Sequence, residues 1–172
     1  SSTCLGLHQS AKGEIGFIDA FVKGGIRLDY WWMDAGWYPT SKDWWEVGTW
    51  EPDPVRFPNG IREVSDHVHA NKMKMILWFE PERVHPGSWL YTNHPEWLLS
   101  KGDGDKEINN QWLTAHGGDV DKLLNMGDPA ARQWLIDHID NFLTKEGIDL
   151  YRQDFNIKPL GFWRNTDAPD RQ

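Results

Sequence analysis

The sequence is poor in cysteine, carries no excess of positive charge and has no long apolar run. Its single cysteine, Cys4, excludes an internal disulfide and a cysteine-based metal site. It leaves the cellular compartment open, with a slight preference for the cytoplasm. A formal net charge of −8 argues against nucleic acid or an anionic membrane as a partner. No apolar stretch reaches the length of a transmembrane helix. These absences favour a globular domain whose ligand is neither a nucleic acid nor an anionic membrane.

Tryptophan is the residue that the sequence has in excess, with 12 in 172 residues. Tryptophans at strand ends and in loops can offer apolar surfaces to sugar rings, whereas buried ones fill a core and need a partner for the indole N–H. Composition alone leaves both interpretations open for any single residue. Clustering favours sugar binding, because six of them fall within one stretch of 20 residues. These are Trp31, Trp32, Trp37, Trp44, Trp45 and Trp50.

Hydrophobic patterning predicts that helices and strands alternate along the chain. Asp128 fits a helix N-cap and Pro129 the first helical position. The links from helix to strand are short and those from strand to helix are long. That asymmetry is typical of a parallel α/β architecture whose working face lies at the strand C-termini. The predicted helices are residues 13–24, 60–71 and 128–147, the predicted strands 26–33, 73–79 and 148–155, and 37–59 and 81–125 are loops, with a short helix allowed over 90–99.

The length is short for a complete (β/α)8 barrel, which needs about 200 residues or more. We therefore interpret residues 1–172 as a single partial barrel domain, roughly the N-terminal half, with the remaining strands beyond Gln172. The sequence ends in Asp-Arg-Gln with no closing helix, and we see no domain boundary. Half a barrel has unpaired strand edges. We expect the isolated chain to self-associate or to be poorly soluble, and to be inactive; the full-length protein could be a homo-oligomer.

Carboxylates stand at the C-terminal ends of all three predicted strands: Asp34, Glu80 and Asp154. In a parallel sheet these ends meet at one edge, where carboxylates suffer desolvation and mutual repulsion unless they have a function. Each could instead cap the following helix or pair with a nearby arginine. Three such residues in register favour a functional site.

Residues two apart in a strand point to the same side of a sheet. We therefore expect Arg152, Asp154 and Asn156 to share one face. A nearby arginine keeps a carboxylate ionised, as a nucleophile requires, and an asparagine can bind sugar hydroxyls. A structural ion pair is the alternative.

The second strand ends in a similar arrangement. Trp78 and Glu80 are also two apart, and they would offer an apolar surface followed by a carboxylate. Arg83 is predicted to pair with Glu80 or Glu82.

Histidines give little indication of a metal site. His67 and His69 lie two apart on a predicted helix and so do not face the same side. His85, His94 and His116 fall in loops without ligand spacing. The sequence also has no glycine-rich phosphate loop and no nucleophile elbow. We expect no protein-bound metal and no cofactor.

Several segments together resemble the motifs of one enzyme family. Residues 34–38 (Asp-Ala-Gly-Trp-Tyr) resemble Asp-Asp-Gly-Trp-Phe, and residues 78–84 (Trp-Phe-Glu-Pro-Glu-Arg-Val) resemble Trp-Phe-Glu-Pro-Glu-Met-Val. Residues 148–156 resemble a segment that contains Tyr-Ile-Lys-Trp-Asp-Met-Asn, and 94–97 and 124–126 also match short motifs. In this order, from about residue 26 onward, the motifs are similar to those of glycoside hydrolase family 36, which includes the α-galactosidases.

The resemblance implies a TIM barrel and a retaining double displacement, in which Asp154 attacks the anomeric carbon of a terminal α-linked sugar. The acid/base is implied to lie on a strand beyond Gln172, and Glu80 is the candidate for that role within the chain. The substrate would be an oligosaccharide or another glycoside. The residues implied to bind it are Asp34, Trp37, Trp78, Glu80, Arg152 and Asn156.

The chain departs from the family pattern at three named positions, and an arginine that the family carries upstream of its Leu-Asn stretch has no clear counterpart here. Ala35 stands in place of a second aspartate, Arg152 in place of a lysine, and Arg83 in place of an apolar residue. The sugar is therefore less defined than the reaction type. Four alternatives stay open: an inactive carbohydrate-binding relative, an α-glycosidase for another sugar, a transglycosylase of the raffinose-synthase type, and a barrel lyase or hydrolase with a metal held by the three strand-end carboxylates.

Overall fold

A computed structural model describes residues 3–41, 44–102 and 121–171. Two compact units are present. The first unit comprises residues up to Trp44, Trp50–Phe79 and Ile136–Asp154; the second comprises Trp45–Thr49, Glu80–Leu135 and the residues from Phe155 onward. In the described residues, no helix has the length and apolar character needed to cross a membrane.

The elements are α1 (Ala11–Lys23), β1 (Tyr30–Met33), α2 (Arg62–Ala70), β2 (Lys74–Phe79), β3 (Arg83–Val84), α3 (Trp89–Asn93), β4 (Leu98–Leu99), β5 (Lys122–Leu124), α4 (Pro129–Glu146), β6 (Leu150–Gln153) and α5 (Leu160–Thr166), with 3₁₀ turns at Thr3–His8, Pro95–Trp97 and Pro169–Arg171.

The first unit contains a parallel sheet in which β2 lies between β1 and β6. Trp32 is level with Ile76, and Trp78 is level with Arg152. The predicted α/β class and the alternation of helix and strand are thereby confirmed. The strands are shorter than predicted, since β1 begins at Tyr30 and not at residue 26. Hydrophobic pattern marks apolar residues, but only pairing with a neighbouring strand decides where a strand begins.

Helix α1 begins two residues before its predicted start, because Ser10 caps it. The Ser10 hydroxyl oxygen accepts the backbone N–H of Gly13 at 3.1 Å. Glu14, in the first turn, is fully buried and accepts the indole N–H of Trp31 at 2.8 Å. A buried carboxylate is tolerated only with such partners, so this bond ties the helix to β1.

Helix α2 receives its N-terminal cap from the far end of α4. The position before the helix, Ile61, has no side-chain acceptor. Instead, the Glu146 carboxylate accepts the backbone N–H of Arg62 at 2.7 Å, and the hydroxyl of Ser65 donates to the Glu146 carbonyl at 2.6 Å. Gly60 adopts φ +75° beside this carboxylate. A long-range contact therefore replaces the local cap that sequence rules would look for.

Helix α4 begins as the sequence predicts. The Asp128 carboxylate accepts the backbone N–H groups of Ala130 and Ala131 at 2.7 and 3.1 Å, which makes Asp128 the N-cap. Further along, Phe142 packs against Phe79 at a ring distance of 5.8 Å. This contact places the apolar face of α4 against the central strand.

The second unit contains a small antiparallel sheet in the order β3–β5–β4, which the sequence analysis did not predict. Arg83 pairs with Leu123, and Leu98 pairs with Leu124. Strands of two or three residues have no measurable periodicity, so they escape sequence analysis.

The expectation of no closing helix was wrong, because Leu160–Thr166 forms α5. Phe162 on this helix is fully buried and clusters with Leu123 and Ile157. Long-range packing stabilises this seven-residue helix, whose short sequence has too few turns for a clear pattern.

Candidate active site

Four side chains at the C-terminal end of the parallel sheet form what we call the Asp154 cluster: Trp32, Trp78, Arg152 and Asp154. In a parallel sheet, residues level with each other point to the same face. Trp78 and Arg152 are level, and Trp32 lies on the same face because it is level with Ile76, two residues before Trp78. The backbone N–H of Asp154 donates to the Phe79 carbonyl at 2.7 Å, so hydrogen bonding continues one residue beyond β6.

Two donors reach the same carboxylate oxygen of Asp154. The indole Nε1–H of Trp78 donates to Oδ2 at 2.9 Å, and the Nη1 group of Arg152 donates to Oδ2 at 3.3 Å. The side chain of Asp154 stays 33% exposed, so a ligand can reach it. Trp78 and Arg152 are therefore brought together at Asp154, as the strand alternation predicts for Arg152.

Trp32 is a member of the cluster that the sequence analysis missed as a site residue. The guanidinium carbon of Arg152 lies 4.5 Å from the centre of the Trp32 ring, within the range of a cation–π contact. A signal was available in the sequence, since Trp32 lies in the first predicted strand, two residues before Asp34 at the end of that strand. The sequence alone did not predict that Arg152 on β6 would be the partner of Trp32.

The two tryptophans expected to bind sugar are both buried. Trp78 is 1% exposed and packs against Tyr38 and Trp44 at ring distances of 6.2 and 6.1 Å. Trp37 is completely buried, and its indole N–H donates to the Trp78 carbonyl at 2.9 Å. Trp37 therefore supports Trp78 from within the core, and Trp78 presents its N–H edge to Asp154.

Asp34 begins a turn that other parts of the first unit hold in place. Its carboxylate accepts the backbone N–H of Ala35 at 2.8 Å. The side-chain amide of Gln9, which is fully buried, donates to the carbonyl of Ala35 at 3.0 Å. Arg56 donates to the carbonyl of Tyr38 at 2.7 Å. The sequence analysis did not single out Gln9 or Arg56, because their role depends on contacts across the fold.

Glu80 belongs to the second unit and is the centre of a separate group, the Glu80 cluster: Glu80, Arg83, His85, Asp121 and Asn156. Its carboxylate is fully buried. It accepts from Nη2 of Arg83 at 2.6 Å, from the backbone N–H of Asn156 at 2.7 Å and from the side-chain amide of Asn156 at 3.3 Å. Of the two partners predicted for Arg83, Glu80 and Glu82, the structure shows the ion pair with Glu80. With three donors on its oxygens, Glu80 is arranged as an anchor for Asn156.

Asp121 completes the Glu80 cluster on the other side of Arg83. Its carboxylate lies 3.6 Å from Nη1 of Arg83 and 2.7 Å from Nδ1 of His85. Burial raises the pKa of Asp121, while the hydrogen bond from His85 and the charge of Arg83 act in the opposite direction. Arg83 is thus a buried cation between two carboxylates.

Two histidines at the first unit's surface are each hydrogen-bonded to an aspartate. His67 lies 2.8 Å from Asp19, and His69 lies 2.7 Å from Asp149. Within the described ranges, no three or more histidine, cysteine, aspartate or glutamate side chains come together in a way that could hold a metal ion. His116 lies outside the described residues.

The sequence of this chain matches one family model and several curated proteins. The family model described as melibiase matches residues 12–166. Alpha-galactosidase C of Emericella nidulans is 34% identical over 144 residues, which is 77% of this chain and 18% of that protein. Alpha-galactosidase 2 of Pediococcus pentosaceus is 30% identical over 125 residues, 72% of this chain and 16% of that protein. The chain thus spans less than a fifth of the length of these curated relatives.

Solved structures resemble the fold as well. The α-galactosidase from Lactobacillus brevis superposes with a TM-score of 0.75 at 24% identity, covering 96% of this chain and 21% of that one. A family 36 α-galactosidase variant from Geobacillus stearothermophilus, in complex with raffinose, superposes with a TM-score of 0.73 at 22% identity, covering 95% of this chain and 21% of that one. The resemblance that the motifs indicated is confirmed: the chain belongs to the melibiase family.

Proposed function

We propose that this chain supplies the nucleophile side of the active site of a retaining α-galactosidase, with Asp154 as the nucleophile. The observation that supports this most directly is the state of Asp154. Its carboxylate is reachable from solvent and receives a cationic and a neutral donor on one oxygen. Such donors favour the ionised form, which is the form that attacks an anomeric carbon.

The proposed reaction has two displacements. A carboxylate oxygen of Asp154 bonds to the anomeric carbon as the glycosidic C–O bond breaks, and a second carboxylic acid from outside this chain gives its proton to the leaving oxygen. The resulting ester is a glycosyl-enzyme. A water molecule then loses a proton to that second group and attacks the anomeric carbon, which releases the sugar with retained configuration and frees Asp154.

The other site residues are proposed to bind the sugar or to support those that do. Asp34 and Asn156 would bind hydroxyls, and Arg152 would bind a hydroxyl while it contacts Asp154. Glu80 would act by holding Asn156, to which it is bonded through backbone and side chain. Trp37 would act through Trp78, whose carbonyl it binds.

The parallel sheet is proposed to be part of a (β/α)8 barrel, and residues 1–172 part of one catalytic barrel domain. Two facts support this. Strands β1, β2 and β6 are neighbours in their chain order, and each is preceded by a helix, as in a barrel. The TM-scores of 0.75 and 0.73, each over 21% of an α-galactosidase chain, agree with that arrangement. The whole protein could also be a homo-oligomer.

The sugar is proposed to be an α-linked galactose on an oligosaccharide such as those of the raffinose series. The names of the relatives support galactose, and the complex of the Geobacillus enzyme with raffinose supports the substrate class. Ala35, which lacks the carboxylate that the family pattern has there, is the position at which this specificity is most open to change.

The test is hydrolysis of aryl glycosides by the whole protein that contains this chain. The panel holds α-galactoside, α-N-acetylgalactosaminide, α-glucoside and β-linked controls. Asp154→Asn should abolish release from the substrate that the wild type cleaves, and Asp140→Asn, at an exposed position on α4, should not. Cleavage of another α-glycoside alone would retain the reaction and change the sugar. No cleavage of any glycoside would favour the inactive carbohydrate-binding relative.

A second experiment separates a nucleophile from a residue that merely supports the site. In Asp154→Gly, azide can occupy the space of the lost carboxylate and attack the same face of the sugar. From an activated α-galactoside this variant should form the β-galactosyl azide, whereas the wild type forms α-galactose. Formation of an α-configured azide, or no rescue at any azide concentration, would contradict the assignment of Asp154.

A further inference from the structure

We propose that Trp32 and Trp78 are positioning residues that orient the carboxylate of Asp154, Trp78 directly and Trp32 through Arg152. This inference rests on the proposed function of Asp154. It changes the expected role of Trp78 from a surface for the sugar ring to a donor for the nucleophile. It also assigns a role to Trp32, which the family resemblance did not include.

A carboxylate turns easily about the bond to its Cβ, and a nucleophile that turns loses much of its effective concentration. Both donors in the Asp154 cluster bond to the same oxygen, Oδ2, at 2.9 Å from Trp78 and 3.3 Å from Arg152. Two donors on one oxygen from two side chains fix the plane of the carboxylate. The carboxylate thereby keeps one orientation relative to the sheet before any sugar arrives.

The direction of the indole donor is itself fixed. Trp78 is 1% exposed, packs against Tyr38 and Trp44, and its carbonyl accepts the indole N–H of Trp37. A ring enclosed in this way cannot swing toward solvent to lie against a sugar. The contacts therefore favour a donor role over a stacking role for Trp78.

The direction of the guanidinium donor depends on Trp32. Arg152 stands where the family pattern has a lysine, and its side chain is 36% exposed, so its own flexibility would let it drift. The Trp32 ring, 4.5 Å from the guanidinium carbon, gives the flat cation a surface to lie on. An ammonium group is compact and has no plane to match, so Trp32 and Arg152 act as a pair.

The alternative for Trp32 is a stacking surface for the sugar itself, and kinetics distinguish the two. Loss of a stacking surface weakens binding and raises KM. Loss of a positioning residue lowers kcat, and moves the acidic limb of the pH profile to higher pH, because fewer donors stabilise the ionised carboxylate.

Four variants of the whole protein test the proposal: Trp78→Phe, Trp32→Leu, Arg152→Lys and the double variant of the last two. Each single change should lower kcat by roughly 10- to 100-fold, the range for a lost hydrogen bond to a charged group. Trp78→Phe and Trp32→Leu should change KM less than about threefold, whereas Arg152→Lys can also change KM because Arg152 is proposed to bind a sugar hydroxyl. In the Arg152→Lys background, Trp32→Leu should have little additional effect, because the stacked partner is gone. Trp163→Phe, at an exposed position on α5, is the matched control and should keep wild-type kinetics.

Three kinetic outcomes would overturn the proposal. These are a rise in KM alone for Trp32→Leu, wild-type kcat and an unmoved acidic limb for Trp78→Phe, and fully additive effects of Trp32→Leu and Arg152→Lys. Trp32→Phe retains an aromatic face and should restore most of kcat, which distinguishes a lost contact from a folding defect. If the wild type cleaves no glycoside, the proposed function fails, and crystal structures test the geometry by itself. Trp32→Leu should then displace the guanidinium of Arg152 from Asp154, and an unmoved guanidinium would overturn the inference.

Discussion

The carboxylate of Glu80 accepts the backbone N–H of Asn156 at 2.7 Å, across 76 positions of the sequence. The same carboxylate binds the guanidinium of Arg83 at 2.6 Å, and both charged side chains are almost completely buried. Asn156 follows Asp154 by two residues, so the bond holds the chain just after the proposed nucleophile. A substitution of Glu80 should therefore loosen the segment around Asn156 selectively.

We predict that Glu80→Gln destabilises the protein by about 2–4 kcal/mol, because a neutral amide leaves Arg83 with a weaker partner and turns an NH₂ group toward other donors. Urea unfolding of the whole protein measures this change. Glu82→Gln is the control two residues away. Burial raises the pKa of Glu82, so its ionised form is disfavoured, and an uncharged replacement should cost little. Equal losses for the two variants would contradict the anchoring role of Glu80.

The glycine at position 60 tests the cap that Glu146 gives to α2. Gly60 has φ +75°, and a Cβ there would lie 2.6 Å from the Glu146 carboxylate oxygen that accepts the Arg62 N–H. We expect Gly60→Ala to cost about 1–2 kcal/mol from backbone strain, and about 1 kcal/mol more from the displaced cap. Gly25→Ala is the matched control, since Gly25 has φ +73° with no atom within 4 Å of a Cβ. Thermal unfolding should separate the two variants, and an equal loss in both would remove the case for the Glu146 cap.

The lowered pKa of Asp149 predicts that the free energy of unfolding of the first unit falls at acidic pH. Partial burial acts to raise its pKa, but the N–H of Met75 and the side chain of His69 together hold that pKa below its usual value. A carboxylate with a lowered folded pKa contributes stability above its unfolded pKa, near 3.9, and that contribution is lost as the pH falls through the folded value. The stability advantage of the wild type over Asp149→Asn should therefore be largest above about pH 5 and shrink toward pH 3. Urea unfolding across this range measures it, with Asp140→Asn, at an exposed position on α4, as the control. A deficit for Asp149→Asn that does not change with pH would contradict the assignment.

A substitution at Gly16 in helix α1 is expected to stabilise the protein. Gly16 lies inside the helix and is exposed, and a Cβ added there would have no atom within 4 Å. Alanine restricts the unfolded chain more than glycine does, so Gly16→Ala should add about 0.5–1 kcal/mol to the free energy of unfolding. Gly13→Ala is the comparison within the same helix, because its Cβ would lie 3.1 Å from the capping oxygen of Ser10. It should gain less or nothing in thermal unfolding. A larger gain for Gly13→Ala would mean that the Ser10 cap contributes little.

Much of the fold could be predicted because it is local. The apolar periodicity of α1, α2 and α4, the Asp128 cap and the three parallel strands all arise from neighbouring residues. The antiparallel sheet of β3, β4 and β5 could not, since its strands have two or three residues and depend on partners up to 40 positions away. Helix α5 was missed for the same reason: Phe162 is recognisable as a core residue only once Leu123 is seen beside it.

By itself, the sequence determined the family, the α/β class, the positions of the strand-end carboxylates and the pairing of Arg83 with a nearby glutamate, because motifs and short-range spacing carry that information. The tertiary structure decided which of these residues meet. It placed Trp37 in the core and brought the indole N–H of Trp78 into a hydrogen bond with Asp154. It also packed the guanidinium of Arg152 against the Trp32 ring and hydrogen-bonded Glu80 to Asn156. These contacts depend on the register between strands and on burial, which are collective results of packing that no single segment of the sequence specifies.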